Sequence, residues 1–355
     1  MKSVNNKIER QSNIELLRMF LMLMIIAGHV IMFSGKSSEM SGVDYFIANF
    51  IRSFTTMAVD CFVLISGYFG INASVKGYLR ISLQTWFYSV SILVICILAG
   101  IHSFDAKDDI QFLAPVATRQ WWYITIYLVL YVISPWINKL VNIMSKVNFK
   151  KLLIVLFFVF CLLPTFCYSI GAQTITNDAG YGICNFIFLY LIGRYLRLHF
   201  DNKYSKYVYL ALWIVCGFLL FASNLVLSKI FGFHFNSFIS YDTLCCFCGS
   251  IFLFLFFVKL NINSKIINKT SKNVLAVYII HLHPALSEYL FVNLLKCDDV
   301  TGWKYLLTII LYPILLFVVF LLVEVVRKIL FTRLETVISI RIEKSILNLK
   351  ERLIK

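Results

Sequence analysis

A chain of 355 residues that is 60% apolar and only 14% charged, with a mean hydropathy of +0.82, is excluded from the ordinary soluble domains, where about a quarter of residues are charged. The composition specifies a polytopic membrane protein. A formal charge of +15 would suit a nucleic-acid binder, but membrane proteins concentrate basic residues in cytoplasmic connections, so no nucleic-acid partner is expected.

Lys2, Lys7 and Arg10 lead into SNIELLRMFLMLMIIAGHVIMFS, Ser12 to Ser34. The run is too long for a signal peptide and lacks a small-residue cleavage pattern, so a retained signal anchor is expected. It holds Arg18 near its start and His29 near its end. At about 100° per residue, eleven residues return to within about 20° of the same face, so the two groups share one stripe about 16 Å long. Ionisable groups in a span are costly and usually face a protein or water-filled interior. A histidine can accept and return a proton near neutral pH, as activation of an alcohol requires. The competing reading of His29 is a packing histidine bonded to another helix. Gly28 would let a neighbouring group approach closely. Arg18 offers a fixed cation with planar donors, suited to a phosphate or pyrophosphate, or else it pairs with Glu15 one turn earlier.

The next apolar stretch contains AVDCFVLISGYFG, with Asp60 at its middle. A buried aspartate needs a partner. It either orients and charge-stabilises His29 or makes a structural bond between helices. Ser66 lies outside any G-x-S-x-G pattern, which argues against a hydrolase-type nucleophile. Lys76 and Arg80, four apart, are either topology charges or a basic lip that receives phosphate.

Windows of about 19 residues place ten spans, at 13–34, 46–70, 80–101, 121–138, 152–170, 180–198, 206–227, 238–259, 273–294 and 305–330. Every second connection is basic, beginning with the N-terminal segment, so both termini are expected in the cytoplasm. That orientation sets Arg18 near the cytoplasmic face and His29 in the outer half. Trp121, Trp122 and Tyr123 read as an aromatic belt. The Cys245, Cys246 and Cys248 cluster lacks metal-ligand spacing and reads as core thiols. In VYIIHLHPAL, His281 and His283 fall on different faces of a helix that Pro284 kinks, and one of them is a candidate to line a cavity. Residues 333–355 pattern as a basic amphipathic helix on an anionic leaflet.

These motifs together resemble the acyltransferase 3 family of membrane proteins. NIELLRMFLMLMIIAGHV is similar to its opening signature, an acidic residue, Leu-Arg, and a His eleven residues after the Arg. AVDCFVLISGYF resembles its second-helix motif, with Cys61 where Phe is common, and WWYITIYLVLYVISP and VYIIHLHP resemble two later motifs. The likeness runs from about residue 12 to 330. It implies an all-α, multi-pass protein of the cell membrane: a transmembrane acyltransferase domain over residues 1–332 and the cytoplasmic tail over 333–355. It implies acetyl-CoA or another acyl-CoA as co-substrate with no tightly bound cofactor, a carbohydrate acceptor (polysaccharide or lipid-linked sugar), and membrane lipid as surroundings. Carried over, His29 is catalytic with Asp60, while Arg18, with the Lys76/Arg80 lip, meets the coenzyme. Glu15, Ser66 and His281 are supporting. A transporter or flippase of a lipid-linked sugar, and an acyltransferase acting on lipid or protein, are the alternative readings.

Overall fold

The computed structural model describes residues 10–36, 42–231 and 239–354, and every regular element among the described residues is helical. Lys2 and Lys7 lie outside them. Helix α1 (Ser12–Ser34) stops at Gly35, whose φ of +70° forms a left-handed cap, with its N–H donating to Met32 O at 3.3 Å. A glycine meets that backbone demand without strain. Its start is tied down by side chains: Asn13 Nδ2 donates to Phe257 O at 3.0 Å and Val258 O at 3.2 Å.

The second apolar stretch forms α2 (Val43–Thr55) and α3 (Met57–Phe69), where one span was expected. The break lies at a run of hydroxyls that bond backwards. Ser53 Oγ donates to Asn49 O at 2.8 Å, and Thr56 Oγ1 to Arg52 O at 2.8 Å. Such back-bonding competes with the helical ladder and bends it. After α4 (Val75–Leu98), the long connection leads to α5 (Trp122–Ile143).

Then follow α6 (Lys146–Ser169), α7 (Ile183–Leu198), α8 (Lys206–Phe231) and α9 (Leu244–Val258). The ninth expected span is a broken one. α10 (Lys265–His281) and α11 (Pro284–Leu294) meet at 76°, because Pro284 cannot continue the ladder and His283 caps the new helix, its Nδ1 accepting from Ala285 N at 3.2 Å.

Each of the ten expected stretches is therefore helical, but among the described residues seven helical stretches are long and apolar enough to cross a membrane, α2 and α3 counting together as Val43–Phe69, or eight if the bent pair is one span. α7 and α9, of 16 and 15 residues, are the short ones. At about 1.5 Å per residue they fall short of a hydrocarbon core about 30 Å thick. α7 is instead clamped against α3. A Cβ on Gly67 would stand 2.2 Å from Tyr190 O, and one on Gly193 2.5 Å from Leu64 O, so the two backbones touch where only glycine fits. Gly28 is not such a site: a Cβ there would meet Thr55 Oγ1 at 3.5 Å, an ordinary contact.

The last element, α12 (Gly302–Ile354), is one helix of 53 residues. It passes residue 333, where a tail on the leaflet was expected to begin, without interruption. The side chains of that tail's expected apolar face lie largely outside the described residues. Ser34 Oγ meets Tyr305 Oη at 2.9 Å, and Gly302 N donates to Asp44 Oδ1 at 2.7 Å. The start of α12 thus sits beside the end of α1 and the start of α2, and α12 then runs back toward the end of the bundle where α1 begins.

Candidate active site

A cavity of about 1000 Å³ runs through the bundle, and both Arg18 and His29 line it. The one-stripe reading of α1 is realised: the cation and the imidazole face a single internal space.

At the end where α1 begins, six cationic side chains line this cavity: Arg10, Arg18, Arg80, Lys272, Arg327 and Lys328. Glu335 is the one carboxylate among the described lining residues, and it is paired with Arg327. Glu15, buried behind the wall, lies 3.3 Å from Arg10 Nη1 and 4.0 Å from Arg18 Nε, so it is shared between two cations. Fixed cations with parallel donors suit a polyanion. Of the expected basic lip, Arg80 lines the cavity and Lys76 does not: it is exposed and outside the lining. Four residues apart, the two share a face of α4, but Lys76 lies one turn nearer the helix start, beyond the lining of the cavity.

Lys272, Arg327 and Lys328 were not singled out in the sequence, where they read as flanking topology charges. A signal was present, however. Glu324 interrupts the apolar run Leu321 to Val326 three residues before Arg327, and an ionisable group inside a span marks a built site. Glu324 is fully buried, with Arg327 Nε at 2.7 Å, and it accepts hydrogen bonds from Tyr88 Oη at 2.7 Å and Gln84 Nε2 at 3.1 Å. This network fixes the guanidinium that lines the cavity.

His29 lies at the other end of the stripe. Its Nδ1 is 3.1 Å from Nε2 of His281, which is wholly buried and whose Nδ1 lies 2.6 Å from Val277 O. A carbonyl only accepts, so His281 carries its proton on Nδ1 and presents a lone pair at Nε2. His29 therefore donates from Nδ1, and its own Nε2 is left as the basic nitrogen. The supporting place foreseen for His281 is thus direct contact with His29.

Asp60 does not have the place expected of it. It is buried in α3 and receives a hydrogen bond from Cys246 Sγ across 3.8 Å, while His29 is bonded to His281. The pairing of Asp60 with His29 is corrected: two residues in the middle of apolar helices were matched by charge, and the packing of α3 against α9 gave the aspartate a different neighbour. Ser66 lines the cavity, its Oγ donating to Phe62 O at 3.1 Å. The aromatic belt is corrected too. Trp121 is buried, donating to Ile279 O at 3.1 Å, and Trp122 and Tyr123 line the cavity.

At the far end, Arg52 lines the same space together with Trp122, Tyr181 and Tyr241. α2 returns beside α1 so that Thr55 faces Gly28, and Arg52 is three residues further from the basic end. His29 consequently stands between two cationic regions.

An internal passage with a polyanion-sized basic region at one end, a proton acceptor part-way along and a polar, aromatic chamber beyond can bring two substrates together from opposite sides. No curated protein and no solved structure matches the chain. A family model described as an acyltransferase domain matches residues 11–326, nearly the whole length. The chain belongs to the acyltransferase 3 family and is a membrane-embedded acyltransferase.

Proposed function

We propose that the protein transfers an acyl group, acetyl in particular, from cytoplasmic acyl-CoA to a hydroxyl of a cell-surface or exported carbohydrate, acting within the cell membrane. The observation that carries this reading is the continuity of one cavity from Arg18 and its basic neighbours to His29 and onward to Arg52. Alternation of basic connections along the chain supports a cytoplasmic basic end.

The phosphates of the coenzyme stay with Arg18, Arg80, Lys272, Arg327 and Lys328, and the thioester arm extends along α1 toward His29. The carbohydrate hydroxyl comes from the other side. Nε2 of His29 takes the hydroxyl proton as the oxygen attacks the thioester carbonyl carbon. The C–S bond then breaks, and the departing thiolate takes that proton back, so the products are an acyl ester and free coenzyme thiol. His281 holds the ring of His29 in orientation throughout. The bound acyl-CoA is a co-substrate and leaves as CoA.

The experiment is mass analysis of the exported glycan from a deletion strain complemented with wild-type or His29→Ala protein. Wild type restores the mass of the acetyl esters and His29→Ala does not. A glycan changed in amount and unchanged in mass would overturn the reading in favour of transport.

A further inference from the structure

Resting on the acyl-transfer reading above, we propose that the acceptor is an anionic carbohydrate, with a carboxylate or phosphate near the acylated hydroxyl, held by Arg52. Three observations carry it.

The first is the position of Arg52. Thr55, opposite Gly28, and Thr56 stand at the α2–α3 break, and their hydroxyls donate to Arg52 O at 3.3 and 2.8 Å. Arg52, three residues before Thr55, therefore lies about 3 Å beyond the level of His29, on the side away from Arg18. A coenzyme whose phosphates occupy the basic end has no phosphate there.

The second is its lack of a counterion. Every buried or half-buried cation lining the basic end of the cavity has a carboxylate close by: Glu15 for Arg18, Glu324 and Glu335 for Arg327, and Glu324 for Lys328. Among the described residues Arg52 has none. A cation inside a membrane protein is costly unless paired, so a site that holds one unpaired fits a ligand that brings the negative charge.

The third is what surrounds it. Trp122 opens α5, Tyr181 and Tyr241 lie just before α7 and α9, and the three meet in one cluster. The ring centroids of Trp122 and Tyr181 are 4.4 Å apart, those of Tyr181 and Tyr241 4.8 Å, and those of Trp122 and Tyr241 5.8 Å with planes 27° apart. All three line the cavity with Arg52. Flat apolar faces with a hydroxyl or indole N–H at their edges suit a pyranose ring, and a guanidinium beside them suits the acid it carries.

The test starts from the glycan that wild-type cells acetylate, stripped of esters with mild alkali and offered with labelled acetyl-CoA to membranes containing the full-length protein. It is offered untreated, with its carboxylates reduced to alcohols, or with its phosphates removed. Loss of transfer after carboxylate reduction identifies a uronate-type acceptor, and loss after phosphate removal identifies a phosphorylated one; either supports the inference. Arg52→Gln is expected to raise the KM for the untreated glycan about 10- to 100-fold, the range for one charged hydrogen-bonding partner, with partial rescue in Arg52→Lys. Transfer that survives both treatments, or a KM unmoved in Arg52→Gln, overturns the inference while leaving His29-dependent acetylation standing. An absence of acetyl esters in wild-type glycan overturns the transferase reading itself.

Discussion

His29 Nδ1 meets His281 Nε2 at 3.1 Å across 252 residues of sequence, and His281 is in turn held at 2.6 Å by the carbonyl of Val277. The order of donors in that chain leaves one nitrogen of His29 free to act. His29→Ala is expected to lower acyl transfer about 100- to 10,000-fold, the usual worth of a positioned acid–base group. His281→Phe keeps a ring and removes the acceptor, so the orientation of His29 is lost, at a cost of about 100-fold. Turnover of labelled acetyl-CoA, with the pH profile of kcat, checks both. A profile reshaped in Asp60→Asn and unchanged in His281→Phe would refute this pairing.

The basic end offers a graded series. Arg18→Gln removes a half-buried cation and is expected to raise the KM for acetyl-CoA about 10- to 100-fold. Arg80→Gln, at an exposed rim, has a smaller effect that fades at about 1 M salt, where the Debye length is about 3 Å. Lys76→Gln, outside the cavity, leaves that KM within error of wild type. Steady-state kinetics at two salt concentrations read all three.

Stability should depend sharply on the buried Glu324–Arg327 pair. Arg327→Ala takes two charged hydrogen bonds from a carboxylate with no exposure and leaves Lys328 Nζ, 3.3 Å away, as its remaining cation, at an expected cost of about 1.5 to 3 kcal/mol. Replacing both, Glu324→Met with Arg327→Leu, recovers most of the loss because the fully buried carboxylate is gone, and Lys328 and Glu335, which lose their partners, are partly exposed and can be hydrated. Thermal unfolding in detergent distinguishes the single from the double variant.

The glycine contacts between α3 and α7 make a further test. Gly67→Ala drives a methyl into the Tyr190 carbonyl and is expected to destabilise by about 1 to 3 kcal/mol. Gly28→Ala, with Thr55 Oγ1 at 3.5 Å, should fold as wild type. The same unfolding measurement on the two variants decides whether the tight approach lies at α3–α7 or at α1–α2.

Composition and helical periodicity by themselves determined that this is an all-helical membrane protein, and the eleven-residue spacing of Arg18 and His29 put both on one face of α1. Those are local properties, set by the bilayer and by 3.6 residues per turn. The motifs in order also led to the family. Only the tertiary structure decided the partners. Asp60 and His281 are equally buried, and nothing along the chain says which of them reaches His29; the bend at Pro284 and the packing of α3 on α9 decide it. The same holds for α7 and α9, whose helices end at 16 and 15 residues inside longer apolar windows, because apolar composition does not reveal where a helix stops or whether its apolar neighbour is lipid or protein. Arg52 and Arg327 come to line one cavity with His29 because α2 and α12 both run back from the far end toward the end where α1 begins, a relationship between distant segments that periodicity cannot encode.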